Sequence, residues 1–449
     1  MKKNNVLSEV IDLSLPVIGE MVVYNFMNIF DAMMIGNFGG NKAVSAVTLS
    51  TEIVNTSFNI IIYIGLAISI TSLVARSIGA RSIKEAQLYS YTGIRIGFLL
   101  AILMFVILFN FSKEILSLFK AKDEVLYYAN IYIKVISIAL VPNILITIIN
   151  AILRGIGNTV IPFKISLIVA LNKIFFDFIF IFGIGTKSLG IIGSAIATVI
   201  SQTIGFIVVF FYILKKYFLK FNIKYLVKSN FFAIKQVLKL SIPSCLEEGA
   251  YGITRLFCTG MIMSLGSISF ASNEIANIIE GISVMPGVGI SVAATALVGM
   301  RAGEKDYKMA KKYANYCCLL AVGMMMTFSV FFVIMPDFLA DLFVKDNERQ
   351  LIKLTALCLS IGALEQPFIA ISNVFSGALK GLGDAKTPLY ISLFTGICIR
   401  LPLIYIFIYK LRWSVINVWW ITTVQWAFDG ILMYIIFNRK CTKRIKNLE

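Results

Sequence analysis

Long blocks of apolar residues recur along the whole chain and decide which folds are open to it. Two of them, Ile94–Phe111 and Ile131–Leu153, approach the roughly 20 residues that cross about 30 Å of hydrocarbon. Hydrophobic residues make up 58% of the 449 and charged residues only 14%, whereas a soluble domain has about 25% charged residues. Such a chain cannot hide its surface in one water-soluble core, so we expect a bilayer to be its solvent.

The apolar blocks predict an all-α membrane protein with twelve transmembrane helices. The connections after the even-numbered spans and the tail are rich in Lys and Arg, whereas the odd-numbered connections are poorer in both. By the positive-inside rule, both termini face the cytoplasm, and we expect a multi-pass protein of a bacterial inner membrane. The spans centre on residues 14–37, 53–75, 92–111, 131–153, 161–183, 189–214, 238–264, 276–300, 314–336, 354–379, 388–409 and 415–437.

An internal repeat runs through the sequence with an offset of 224 to 227 residues. Leu13-Ser-Leu-Pro16 recurs as Leu240-Ser-Ile-Pro243, and Ala151-Ile-Leu-Arg-Gly-Ile-Gly157 recurs as Gly377-Ala-Leu-Lys-Gly-Leu-Gly383. Each half holds six spans, so the halves have the same orientation. We therefore predict two six-helix lobes related by a pseudo-two-fold axis along the membrane normal.

The predicted division is an N-lobe at 1–214, a cytoplasmic linker at 215–237, and a C-lobe at 238–449 that ends in a basic cytoplasmic tail. Two similar lobes around a midplane site can rock between inward-open and outward-open states, so this plan predicts a secondary transporter. Pro16 and Pro243 are the candidate hinge residues, because proline frees a carbonyl and bends a helix.

Charge and cysteine usage exclude several classes of function. The formal net charge is +17, but the basic residues lie mostly between apolar blocks, where they set topology and contact membrane lipids rather than nucleic acid. The chain has no histidine, and its seven cysteines form no C-x-x-C pair, so we predict no disulfide framework and no metal centre of His or Cys ligands. We expect no catalytic residues, no cofactor beyond a coupling H⁺ or Na⁺, and a monomer.

Ionisable groups inside a span are costly and mark transport pathways by default. Asp31 lies among Met and Phe residues in the first span, and Asp177 lies in Phe175-Phe176-Asp177-Phe178 in the fifth. Lys173 is four residues before Asp177 and shares its helix face. An ammonium near both acids would occupy the place of a metal cation, so we favour proton coupling; a purely structural Lys173–Asp177 pair is the alternative.

Several motifs together resemble a known family, the multidrug and toxic compound extrusion (MATE) transporters, particularly their DinF-like and related prokaryotic branches. The resemblance implies cation-coupled export of amphipathic, often cationic, organic small molecules. The motifs are Phe30-Asp-Ala-Met-Met-Ile-Gly-Asn-Phe-Gly39, Leu153-Arg-Gly-Ile-Gly-Asn158, Gly193-Ser-Ala-Ile-Ala-Thr198, Met285-Pro-Gly-Val-Gly289, Gly377-Ala-Leu-Lys-Gly-Leu-Gly-Asp384 and Arg400-Leu-Pro402.

The same resemblance implies a coupling role for Asp31 and Asp177 and a cation-site role for Thr198. A threonine also bonds back to its own helix, which is the alternative for Thr198. The family's usual asparagine one turn before the helix-5 acid is Lys173 here, with Asn172 next to it. A kink that turned Asn172 inward would still allow Na⁺ to bind at Asp31 and Asp177.

The C-lobe carries its own set of charges, which we predict to line the cavity or the lobe interface, with structural pairing as the alternative. Glu247 corresponds to Glu20 in the repeat, one turn after each proline. The full set is Glu247, Glu248, Arg255, Glu274, Glu280 and Arg400.

Two other functions stay open beside the antiporter. A flippase for lipid-linked precursors shares the two-lobe plan, but its cavity should be richer in Arg. A polytopic membrane enzyme would need a clustered D-D-x-x-D motif or a catalytic His, and the sequence has neither.

Overall fold

The computed structural model describes residues 5–119, 123–183, 188–215, 230–344 and 348–448, without the side chains of 28, 32, 36–45, 59 and 123. Over these residues the chain is helical with short turns and contains no strand, which confirms the all-α prediction. Most of the predicted linker, residues 216–229, lies outside the described residues.

The helices of the first half begin with one continuous run. It consists of α1 (Val6–Phe58), a π-helical stretch (Asn59–Ala67) and α2 (Ile68–Gly79). The helices that follow are α3 (Ile83–Asn110), α4 (Ser112–Leu118), α5 (Asp123–Gly155), α6 (Val160–Phe182) and α7 (Gly190–Lys215).

The second half forms a matching series of long helices. They are α8 (Phe231–Met263), α9 (Ser267–Gly303), α10 (Tyr307–Ile334), the short α11 (Pro336–Asp341), α12 (Arg349–Gly381), α13 (Lys386–Lys410) and α14 (Ile416–Lys446). Within α13, Pro402 lies between two π-helical stretches, Phe394–Arg400 and Ile404–Lys410. A proline has no N–H to donate to the preceding turn, which accounts for the irregular pairing around it.

Ten helical segments of the described residues are long and apolar enough to cross a membrane. They match ten of the twelve predicted spans. The first and seventh predicted spans lie in α1 and α8, which carry buried or half-buried charged side chains such as Asp31 and Glu247. The predicted break between the first two spans does not interrupt the helix, since the backbone of residues 38–52 is helical. That stretch contains no proline that would break it.

The sequence repeat is also a repeat of contacts. Oγ1 of Thr71 donates to the carbonyl of Ala151 at 3.1 Å, and Oγ1 of Thr295 donates to the carbonyl of Gly377 at 3.0 Å. The two threonines and the two acceptors are repeat partners. Each half therefore ties the helix of its second span to the helix of its fourth in the same way.

The turns that follow α5 and α12 are repeat partners as well. Asn158 accepts a hydrogen bond from the backbone of Ile161 at 3.2 Å, and Asp384 accepts one from the backbone of Thr387 at 3.1 Å. Asp384 also pairs with Lys440. Burial raises the pKa of Asp384, but the hydrogen bonds from Lys440 and Thr387 outweigh it and hold the pKa below its usual value.

The chain divides into two compact units. One comprises Gly19–Ile78 and Ser82–Leu238, and the other comprises Met1–Ile18, Gly79–Arg81 and Lys239–Glu449. The start of α1 thus packs within the second unit, where Val10 and Ile18 join a buried cluster of apolar side chains. The predicted lobe boundaries stay a prediction.

Candidate coupling site

A buried cluster of polar side chains lies where α1, α6 and α7 meet. Nζ of Lys173 donates to Oδ1 of Asp31 at 2.8 Å and to Oδ1 and Oδ2 of Asp177 at 2.7 and 2.6 Å. Lys173 and Asp177 are one turn apart on α6, so they share a helix face. The structure places these three predicted residues in direct contact, and we call them, with Ser194, the lysine cluster.

Ser194 of α7 completes the cluster and was not singled out from the sequence. Its hydroxyl donates to Oδ1 of Asp31 at 2.6 Å and accepts from Nζ of Lys173 at 3.1 Å. The fully buried Tyr132 of α5 lies beside it. Ser194 is one turn before Thr198 in the Gly193–Thr198 motif, so a check of both hydroxyls on that helix face would have found it.

Thr198 and Asn172 lie outside the cluster. Oγ1 of Thr198 donates to the carbonyl of Ser194 at 3.0 Å, and Nδ2 of Asn172 donates to the carbonyl of Ile168 at 2.8 Å. Both side chains bond back to their own helix, the pattern usual for such residues inside helices. The α6 helix is continuous from Val160 to Phe182, and the amide of Asn172 contacts its own helix rather than the lysine cluster.

The lysine cluster holds one more negative charge than positive when all three groups are ionised. The side chains of Lys173 and Asp177 are 4% and 2% exposed, and that of Asp31 is 16% exposed. An excess charge in a buried site costs several kcal/mol, so the site favours taking up one further cation or proton. Asp31 is thus the more accessible of the two carboxylates.

The residues present do not fit a sodium ion held between the two carboxylates. Lys173 already donates to oxygens of both Asp31 and Asp177, and an ammonium offers no lone pair to a metal. A sodium ion at that point would lie next to a buried positive charge, where repulsion is strongest. A proton bound to one carboxylate meets no such obstacle.

The second repeat has no counterpart of the cluster. The repeat partners of Asp31, Lys173 and Asp177 are Cys258, Ile399 and Leu403. Cys258 is buried in an apolar cluster, and Leu403 packs against that cluster. The charged triad thus belongs to one half only.

Each half holds a repeat-related ion pair that the sequence had indicated only in part. Nη2 of Arg154 donates to both carboxylate oxygens of Glu20 at 2.7 Å. Nζ of Lys380 lies 3.0 Å from Oε2 of Glu247. Glu20 and Glu247 stand one turn after the hinge candidates Pro16 and Pro243, both of which lie inside their helices. Glu247 is therefore one member of a repeated structural pair.

Glu280, another predicted charge of the C-lobe, belongs to a different polar group. Nε2 of Gln366 donates to Oε1 of Glu280 at 3.0 Å, and Ser283 donates to Oε1 of Gln366 at 2.8 Å. The buried Glu365 lies near Glu280, and its Oε2 has no hydrogen-bond partner within the described part of the chain. Glu365 and Gln366, which precede Pro367, were expected to be structural and were not among the predicted site residues.

Among the remaining predicted C-lobe charges, Arg400 lies close enough to Glu280 and Glu365 to interact with them electrostatically. The guanidinium of Arg400 lies over the ring of Tyr251, 5.9 Å from its centre. Glu274 accepts only from its neighbour Asn273 among the hydrogen bonds of the described residues, at 3.2 Å. Arg255 is exposed and Glu248 is half-buried. That these charges line the cavity or the lobe interface stays a prediction.

Comparison with known proteins agrees with the repeat. The MatE family matches the chain twice, at residues 16–179 and 243–406. The probable multidrug resistance protein NorM of Thermotoga maritima is 26% identical over 431 residues, which cover 96% of this chain and 91% of that protein. The uncharacterized transporter YisQ of Bacillus subtilis is 25% identical over 423 residues, covering 94% and 92%.

Solved structures with the same fold are also transporters. A MOP superfamily transporter from Pyrococcus furiosus superposes with a TM-score of 0.91 at 19% identity and covers 98% of this chain and 97% of its own. An outward-facing multidrug resistance MATE family transporter of the MOP superfamily superposes with a TM-score of 0.90, with the same identity and coverage.

Proposed function

Because the chain belongs to the MatE family of membrane transporters, we propose that it is a proton-coupled antiporter that exports amphipathic, cationic organic compounds by alternating access. One observation supports the choice of the proton: the ammonium of Lys173 bridges Asp31 and Asp177. Relatives named as multidrug resistance proteins support the choice of substrate.

The coupling step follows from the geometry of the lysine cluster. Asp31 is the more exposed carboxylate, so a proton from water reaches it first. Protonation removes the charge that holds Asp31 to Lys173, while Lys173 keeps its two bonds to Asp177 on the same helix. The contact between α1 and α6 then weakens, and a change in their packing accompanies the gain or loss of one proton.

The charge count of the cluster also explains exchange with a cationic substrate. The unprotonated cluster carries one excess negative charge, which attracts an organic cation. A proton on Asp31 cancels that charge and favours release of the cation. The two cations thus compete for one charge without needing to touch the same atom.

We further propose that both termini face the cytoplasm of a bacterial inner membrane. The support is the basic C-terminal end of α14, which carries Lys443, Arg444 and Lys446 in its last turn. Reporter fusions to residue 449 should show cytoplasmic activity for green fluorescent protein and none for alkaline phosphatase.

The experiment that tests the coupling ion is transport of a fluorescent organic cation into everted vesicles or proteoliposomes. We expect an imposed H⁺ gradient to drive uptake and an imposed Na⁺ gradient alone to drive none. Asp31→Asn should lower proton-driven uptake at least tenfold. Asp12→Asn, an exposed carboxylate of the same helix, is the matched control and should transport normally. Uptake that strictly requires Na⁺ would overturn the proposal.

A further inference from the structure

A groove in the unit of the first repeat runs between α3, α5 and α7, away from the lysine cluster. It encloses a cavity of about 340 Å³. Phe98 of α3 and Phe206 and Phe210 of α7 form its walls, and Leu145 and Ile149 of α5 form its floor. Its size falls in the range of about 300–1,000 Å³ that is usual for small-molecule sites.

Arg95 is the one charged side chain among the described residues that line this groove. Its Nη1 is shielded from solvent and has no hydrogen-bond partner within the described part of the chain. No described carboxylate forms an ion pair with it. The residue as a whole is only half-buried, and an unpaired guanidinium nitrogen is costly, so an acceptor that reached the guanidinium from outside the chain would stabilise it.

The depth of Arg95 suits the phosphate level of a bilayer. It lies twelve residues after Ile83, the first residue of α3, and fifteen before Asn110, the last. If about 30 Å of hydrocarbon is measured back along α3 from Asn110, the apolar core of the bilayer begins near residue 90. The Cα atom of Arg95 then lies about 8 Å inside that boundary. A helical side chain leans toward the start of its helix, and a long basic one snorkels over such a distance.

The rest of the groove lies at the same end of its helices. Phe210 and Ile213 stand within about 8 Å of the last residue of α7, Lys215. Ile149 stands about 9 Å from the last residue of α5, Gly155. The apolar lining thus begins where the guanidinium can reach the surface and continues into the hydrocarbon.

We propose that this groove binds one phospholipid, with its phosphate on Arg95 and an acyl chain along Phe98, Ile149 and Phe210. The pairing of a basic head with an apolar trough matches the two ends of a phospholipid. A guanidinium suits phosphate because it donates two parallel hydrogen bonds. A soluble anion would use only Arg95, and an apolar peptide would use only the trough.

The test is native mass spectrometry of the full-length protein in detergent with phosphatidylglycerol added. We expect the wild type to retain one tightly bound lipid, and Arg95→Gln to bind it about tenfold more weakly, as for the loss of a hydrogen bond to a charged group. Arg95→Lys should be intermediate. Lys164→Gln removes an exposed charge from the same unit and should bind like the wild type. Thermal melting of each variant checks that it is folded.

Two further arms separate the lipid from other occupants. Ile149→Phe fills the floor of the groove and leaves Arg95 intact, so it should also weaken lipid binding. Inorganic phosphate in excess should not displace the lipid. The proposal is overturned if folded Arg95→Gln binds the lipid like the wild type, if phosphate competes and Ile149→Phe has no effect, or if the groove is covered by a second copy in an Arg95-dependent dimer.

Discussion

Lys173 donates to both carboxylate oxygens of Asp177, which lies one turn further along the same helix, at 2.7 and 2.6 Å. Both side chains are almost fully buried. Because the two residues lie one turn apart on one helix, we expect this pair to persist through the proposed transport cycle. The partner that we expect to change is Asp31, which comes from α1.

Removal of one partner of this pair should destabilise the protein strongly. Lys173→Met leaves Asp177 and Asp31 without the cation they share, and breaking a buried pair costs about 3–5 kcal/mol. Thermal unfolding in detergent should show a clear fall in melting temperature. The double variant Lys173→Met, Asp177→Leu should lose less than the sum of the single variants, because it removes both buried charges. Additive losses would show that the two residues do not interact.

The two repeat-related ion pairs should respond alike to substitution. Glu20→Gln and Glu247→Gln each remove the carboxylate that pairs with a buried base, so each should cost about 3 kcal/mol of unfolding free energy. The exchange Glu247→Lys with Lys380→Glu should recover part of the loss. A large effect in one half and none in the other would contradict the equivalence of the pairs.

The turn at Asp384 should contribute a pH-dependent part of the stability. Its folded pKa is lowered, so its stabilisation is present above the unfolded value, about 3.9, and is lost as pH falls through the folded value. The melting temperatures of wild type and Asp384→Asn should therefore differ at neutral pH and converge in acid. Glu114→Gln, an exposed acid, is the control. A gap that widens below pH 4 would contradict the assignment.

Close helix packing at a repeat glycine should make it intolerant of a methyl group. A Cβ at Gly377 would lie 2.4 Å from the carbonyl oxygen of Ser291, a backbone atom that cannot turn away. Gly377→Ala should cost about 1–3 kcal/mol of unfolding free energy. Gly323→Ala meets nothing within 4 Å and should stabilise α10 by about 0.5–1 kcal/mol. Equal effects of the two substitutions would contradict this packing.

The helical fold was predictable because it rests on local properties. An apolar block can be recognised as a span from its length and composition alone. The two blocks with the weakest apolar signal lie in α1 and α8, which carry acids such as Asp31 and Glu247. The i to i+4 spacing of Lys173 and Asp177 likewise predicted their shared helix face. The helix through residues 38–52 was not predicted, because these residues lie between the two predicted spans 14–37 and 53–75.

Pairings between distant residues were harder to predict. Glu20 and Arg154 are 134 residues apart, so no spacing rule connects them. The repeat did hold the signal: Glu20 and Glu247 keep an acid, while Arg154 and Lys380 keep a base. Two positions that retain opposite charges in both halves are candidates for contact. The repeat gives no such signal for Ser194, which could be found only from its position one turn before Thr198.

The most direct test of the account is the ion dependence of the Lys173→Asn variant in proteoliposomes, measured beside the wild type under separate H⁺ and Na⁺ gradients. If Lys173 occupies the place of a metal cation, the wild type is driven by H⁺ and indifferent to Na⁺. The variant should lose proton-driven uptake and respond to Na⁺, because asparagine offers an oxygen where the ammonium stood. Unchanged proton-driven transport in Lys173→Asn, or a wild type that requires Na⁺, would contradict it.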